Sequence, residues 1–202
     1  MTILYGFELE GFFGESGPRV PPKSYPTDGF PGLVELRTNG GASLGEAWSE
    51  ICRLDLEYPG VDYSCYAHTF NREDRADIRR RHNEKSAWDI RNLYGKRPRL
   101  LGNKTLASCQ ISVSNRLYPS YKDDKGVVHT DRWGLLDIPK IVRALDEEFR
   151  EEIKGSGRQP GEYCVKDGIR LEYRSLPNAA FHFDVSGART FLRRIRLCVE
   201  DI

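Results

Sequence analysis

The sequence lacks most of the features that assign a chain to a class at once. No run approaches the roughly 20 apolar residues of a membrane span, so no membrane partner is expected. The stretch MTILYGFELE has no basic region followed by an apolar one. No secretory leader is expected there, and a first strand is expected to begin almost at once. The cysteines are few and odd in number: Cys52, Cys65, Cys109, Cys164 and Cys198. None has CxxC spacing and several lie in apolar runs, so they are expected to be reduced, mostly buried thiols of a cytoplasmic protein. The four histidines, His68, His82, His129 and His182, are far apart and lack zinc-ligand spacing. Cys/His and HExxH signals are missing, and no side-chain nucleophile is expected. Asp123-Asp124-Lys125-Gly126 has no later Glu at calcium-loop spacing and reads as a turn. There is no internal repeat.

What is there fits a globular chain of 202 residues, read as a single domain over 1–202. Hydrophobic residues make up 39% and charged residues 30%, which excludes a disordered chain. The net charge of +1 selects no class of partner. Its distribution is uneven, however. Residues 70–104 hold eleven Lys/Arg against five Asp/Glu, a net +6, which leaves −5 for the rest. That segment reads as a basic insertion. Its ordinary reading is a solvated, ion-paired helix, with Asp77 and Arg81 at i, i+4. Its functional reading is an arm around Arg79-Arg80-Arg81 that recruits nucleic acid or an acidic peptide.

Periodicity places the elements. Residues 2–13 and 32–38 (GLVELRT) alternate as strands, with a Gly/Pro/Ser-rich loop between them. Ser43 is placed to cap a helix through Ala47, Trp48, Ile51, Cys52 and Leu54, closed by Pro59-Gly60. Residues 61–69 are a further candidate strand, and 71–94 have helical character. Residues 105–115 alternate, with Cys109, Ile111 and Val113 on one side and Gln110, Ser112 and Ser114 on the other. A polar excursion at 116–137 precedes an amphipathic helix at 138–154, stopped by Gly155-Ser156-Gly157. Residues 168–175 form a strand, and a last helix runs from about 186 to 198. The order predicts an α+β fold, with helices covering one face of a largely antiparallel sheet.

The polar faces of the four best strands carry Glu8 and Glu10; Glu35 and Arg37; Gln110, Ser112 and Ser114; and Arg170, Glu172 and Arg174. This set is rich in Glu and Arg and holds no Lys. Each piece alone has an ordinary reading, as a solvated edge or a surface ion pair worth little. On one shared sheet, the carboxylates would repel by several kcal/mol unless a hard divalent cation relieved them. Guanidinium groups beside such a cation suit phosphate or carboxylate. Together they would make a cradle for Mg-ATP. Asp28, in TDGFPG, reads equally as an approach to that site and as a turn residue.

GFELE, then DGFPGLVELRT, then the strand at 107–114, then RQPGEY with GIRLEYRSLPN resembles the phage-type carboxylate–amine ligases, small amidoligases related to glutamine synthetase and glutamate–cysteine ligase. The resemblance runs in order from residue 6 to about 180. It implies a curved antiparallel sheet like the glutamine synthetase catalytic domain, binding ATP and Mg²⁺ on its concave face. It implies Glu8, Glu10, Glu35 and Glu172 as metal ligands. Arg37, Gln110, Ser112, Arg170 and Arg174 are implied on the nucleotide. Arg158, with Arg37 and Arg174, is implied on the transferred phosphate or acyl phosphate. The implied reaction joins a small-molecule or peptide carboxylate to an amine, as an amide or isopeptide bond, through an acyl phosphate. It would run in the cytoplasm, the host's if phage-encoded. Relatives commonly carry His-x-His where this chain has Gln110-Ile111-Ser112, and neither Gln nor Ser replaces imidazole. A catalytically degenerate binding protein that engages nucleic acid or a protein partner is therefore a second reading. A metal-dependent nuclease or phosphatase is a third, with no Lys or His placed beside the acids as base.

Overall fold

The computed structural model describes residues 3–13, 24–27, 33–64, 67–69, 104–115, 121–122, 128–129, 136–166 and 170–201. The basic segment at 70–104, apart from Lys104, lies outside these residues, as do Asp28 and Cys65.

The fold is α+β, an open antiparallel sheet with helices packed against it. Strand β1 (Ile3–Phe13) pairs on one side with β2 (Leu33–Arg37) and on the other with β6 (Cys109–Asn115). Strand β3 (Val61–Asp62) joins the far end of β1 at Phe12 and Phe13. Beyond β6 lie β10 (Arg170–Tyr173) and β9 (Tyr163–Lys166), so the order is β2-β1-β6-β10-β9. Two small ladders stand apart from this sheet. One pairs β4 (Ala67–Thr69) with β5 (Lys104–Leu106), the other β7 (Tyr121–Lys122) with β8 (Val128–His129).

The helices are α1 (Leu44–Glu57), α2 (Ile138–Glu148), α3 (Arg150–Ser156) and α4 (Val185–Glu200). Ser43 caps α1 as its sequence predicts. Its hydroxyl accepts from the Glu46 N–H while the Glu46 carboxylate takes the Ser43 N–H, a reciprocal pair that satisfies two donors the helix leaves over. Helix α4 packs against both α1 and α2, so it is the middle helix of the layer.

Period-two alternation decides which residues meet these helices. Tyr5, Phe7 and Leu9, Val34 and Leu36, Cys109, Ile111 and Val113, and Leu171 and Tyr173 form one buried face. Phe7 meets Phe181 edge-on, their ring centres 5.6 Å apart, and Phe191 of α4 lies over both. Each such side chain contributes about 1.5–3 kcal/mol by leaving water. The opposite face of the sheet is the polar one.

Three expectations need correction. The strand at 105–115 is split, because Ser108 leaves the β6 ladder to serve Glu10 and to bridge Pro177. The helix at 138–154 is interrupted at Phe149, whose fully buried ring packs on Phe191, and it runs on to Ser156, where Gly157 takes a left-handed conformation. The candidate strand at 61–69 is two separate short strands. Of the four described cysteines, all free, Cys109 and Cys198 are buried, and Cys52 and Cys164 are only partly so.

Candidate functional site

The register brings the polar residues of β1, β2, β6 and β10 onto one face. Residues directly opposite in an antiparallel pair share a face. Glu10 stands opposite Glu35, and Glu8 stands between Arg37 on β2 and Gln110 on β6. Ser112 stands between Gly6 on β1 and Glu172 on β10. Strand β9, which periodicity missed, adds Cys164 opposite Glu172 and Lys166 opposite Arg170. The face therefore does hold a lysine. The clue to β9 was the alternation of Tyr163 and Val165 with Cys164 and Lys166, but its apolar side stays exposed, so no buried stripe marked it.

The acids are not solvated. Glu10 is 7% exposed, Glu35 5%, Glu172 1% and Gln110 1%. Buried carboxylates need partners, since an unpaired buried charge costs several kcal/mol. Glu10 Oε2 accepts from Ser108 N–H at 2.6 Å and from Ser108 Oγ at 2.7 Å. The Asn178 side-chain amide donates to the Glu10 backbone carbonyl at 2.9 Å, holding the strand in place. Arg37 lies between Glu8, with Nε 3.0 Å from Oε1, and Glu35, which its Nη2 contacts. Glu172 is held by Lys166 on one oxygen, and on the other by the Cys164 thiol at 3.3 Å and Arg174 at 3.8 Å.

The floor between Glu8 and Glu172 is made of small residues. Gly6 has no room for a side chain, because a Cβ there would lie 3.0 Å from Thr38 Oγ1. That hydroxyl accepts the Phe7 N–H at 2.9 Å. Burial, followed by the nearby Glu172 charge, raises the pKa of Glu8 above the usual carboxylate range, and Arg37, Lys166 and Arg174 only partly oppose this. Burial likewise pushes the Cys164 thiol up to about 11, helped by Glu172.

A pH dependence follows from Glu8. A carboxyl with a raised native pKa binds more protons folded than unfolded, so its contribution to stability is present in acid and is lost as pH rises through the native value. Glu8→Gln is therefore expected to stabilise the protein at neutral pH by ~0.5–2 kcal/mol. The gap should close below the ordinary glutamate range. Urea titrations at several pH values check this, and a constant gap across pH would contradict it.

Arg158, which the resemblance implies on the transferred phosphate, is hydrogen-bonded to the chain's own carbonyls. It is 11% exposed and points its guanidinium into the fold. Nε and Nη2 donate to the Arg174 carbonyl at 3.0 and 2.6 Å, and Nη1 donates to the Leu106 and Ala107 carbonyls at 3.2 and 3.5 Å. Nη2 also reaches Glu162 at 3.4 Å. All three of its nitrogens are engaged with the chain itself.

As the side chains stand, no three His, Cys, Asp or Glu among the described residues converge to hold an ion. The chemistry of the donors nonetheless fits a hard divalent cation. Glu8, Glu10 and Glu35 carry carboxylate oxygens on adjoining positions of β1 and β2, the ligand type Mg²⁺ prefers. Gln110 Nε2 faces Glu10 Oε1 and Ser108 Oγ, which sets the orientation of the amide, while its Oε1 is buried with no hydrogen-bond partner among the described residues. A buried acceptor left over beside three carboxylates is suited to a cation. An ion at Glu35 would compete with Arg37. Searches against protein-family models, curated proteins and solved structures return no match to this chain.

Proposed function

We propose that this chain is an ATP- and Mg²⁺-dependent carboxylate–amine ligase of the glutamine synthetase-like type. The observation that carries the reading is the gathering of Glu8, Glu10, Glu35 and Glu172 on one sheet face, with Arg37 and Arg174 among them and three of the acids almost fully buried. An ordinary solvated face does not bury like charges directly opposite each other, as Glu10 and Glu35 are here.

In this reading Glu8, Glu10 and Glu35 hold the ion, with the Gln110 carbonyl as a further oxygen, and Glu172 serves the far side of the floor. Bound Mg²⁺ supplies neutralisation of the phosphate charge. Ser108 fixes the Glu10 carboxylate by two hydrogen bonds, so little reorganisation is left for the moment of reaction. Arg37 is more than half exposed and offers paired N–H donors to a phosphate or carboxylate. Arg174 is less exposed and stands 3.8 Å from Glu172. The work is to position two reactants and balance spreading charge, and no covalent nucleophile is required.

One observation favours the second reading, a binding protein that has lost catalysis. Arg37 and Lys166 already neutralise Glu35 and Glu172 without an ion. Calorimetry at millimolar Mg-ATP separates the two. The ligase is expected to bind Mg-ATP and to bind ATP far more weakly without Mg²⁺. No heat at that concentration would leave only the binding protein.

A further inference from the structure

Helix α4 carries more arginine than the fold uses. Its sequence, VSGARTFLRRIRLCVE, sets Arg189, Arg193, Arg194 and Arg196 against a single acid, Glu200. Arg194 belongs to the fold. It pairs with Glu148 and Glu152, and its guanidinium lies 4.1 Å from the centre of the Phe149 ring. Arg189, Arg193 and Arg196 are exposed. At ~100° per residue they fall within about 60° of one another round the helix, in a row ~10 Å long. Arg193 stands at i+4 from Arg189, with Arg196 at i+3 beyond it. Residues so spaced are neighbours on the helix surface, and like charges there destabilise it. Among the described residues, no carboxylate pairs with Arg189 or Arg193. Arg196 has Glu200 at 3.6 Å, and that carboxylate also takes the Tyr5 hydroxyl. A solvated face ordinarily mixes the two signs. This row does not, and its packing gives no reason for it.

We infer that Arg189, Arg193 and Arg196 form a docking surface for the phosphate backbone of a DNA duplex. Guanidinium groups take phosphate through paired N–H donors. A row of ~10 Å covers about three nucleotide steps at the ~3.4 Å spacing of one DNA strand. The row lies on the outer, convex side of a helix, which can follow a rigid backbone, whereas peptides dock in grooves or on sheet edges. The aromatic residue of α4, Phe191, is buried, so the row offers no ring on which single-stranded bases could stack. Val185 and Leu197, the exposed large apolar residues of α4, stand near its opposite ends and make no continuous strip for a lipid surface. Contacts to phosphate alone carry no sequence information, so the docking is independent of sequence. Helix α4 covers the apolar face of the sheet, where Phe191 meets Phe7, and the acids stand on the other face. The surface is therefore separate from the ligase site and does not depend on that reading.

Fluorescence anisotropy of a labelled DNA duplex of about 20 base pairs, titrated with the full chain at several salt concentrations, tests this. The wild-type chain is expected to bind two unrelated sequences alike, with affinity falling on a log–log salt plot at a slope of about −2 to −3, ~0.9 for each phosphate met. Arg189→Gln with Arg193→Gln should weaken binding about tenfold or more at low salt and take ~2 off the slope. Arg189→Lys with Arg193→Lys should keep the slope, since the charges remain. Either single Gln variant provides an independent loss, of ~1 in slope, if the double variant fails to fold. No binding at ~100 µM protein in low salt, or the same affinity and slope for wild type and the double Gln variant, would overturn the inference. So would arginine-dependent binding to phosphatidylserine vesicles without any binding to the duplex, which would assign the row to a lipid surface. An RNA duplex that binds much more tightly than DNA would overturn the choice of DNA. Mg-ATP calorimetry on the same samples keeps the two ideas separate. Arginine-dependent duplex binding without any Mg-ATP binding removes the ligase and leaves this surface standing.

Discussion

Arg158→Met is expected to lower the free energy of unfolding by roughly 3–5 kcal/mol, the usual cost of removing one partner from a buried charged network. The reason is on the receiving side of its hydrogen bonds. The carbonyls of Leu106, Ala107 and Arg174 converge on the guanidinium, and methionine fills its volume but donates nothing. Each buried acceptor left unsatisfied costs about 1–3 kcal/mol, less where water can enter. The damage should spread in a defined direction. Ala107 precedes Ser108, whose N–H and hydroxyl hold Glu10, and the Arg174 carbonyl belongs to the residue that flanks Glu172. Urea titrations on the intact chain measure the loss. A variant that keeps within ~1 kcal/mol of wild type while losing Mg-ATP binding would show that Arg158 meets the nucleotide after all.

Glu35→Gln is expected to do the opposite, sparing the fold and removing the chemistry. Glu35 faces Glu10 across the β1–β2 ladder with both side chains buried. Neutralising one of two opposed carboxylates relieves repulsion, although Arg37 then loses an anion. Stability should hold or rise by a few tenths of a kcal/mol. ATP turnover in the presence of Mg²⁺ and a permissive acid and amine should fall ~10²–10³-fold, as when one preorganised charge is taken from a reaction centre. Unchanged turnover would remove Glu35 from the ion site. Equal loss of turnover and stability would make it a structural residue.

Much of this site was legible because a strand repeats every two residues. Glu8 with Glu10, and Arg170 with Glu172 and Arg174, must share a face wherever the strand goes. What periodicity cannot supply is register, since no local signal says that Glu10 meets Glu35 and not Arg37. The ordered motifs hinted that the four strands belong together, and the ladders place their polar residues on one surface. Lys166 and Cys164 escaped because β9 is four residues long with Tyr163 and Val165 exposed, so it lacks the buried half that betrays a strand. The break at Ser108 and the job of Arg158 were invisible for another reason. Both depend on partners 98 and 16 to 52 residues away in the chain, and nothing in the neighbouring sequence encodes those contacts. The interruption at Phe149 is similar, since it belongs to a ring packed beneath Arg194 of another helix.

The pairings of β1 also bear on how the chain is made. Phe7 needs Phe191 to complete its cover, and the Tyr5 hydroxyl donates to Glu200 at 2.8 Å. At ~5–20 residues per second, a ribosome takes on the order of 10–40 s to deliver α4 after β1 has emerged. Through that interval Tyr5, Phe7 and Leu9 wait as an unfinished strand, open to sticking, and the nascent protein has most need of a chaperone before its last helix appears.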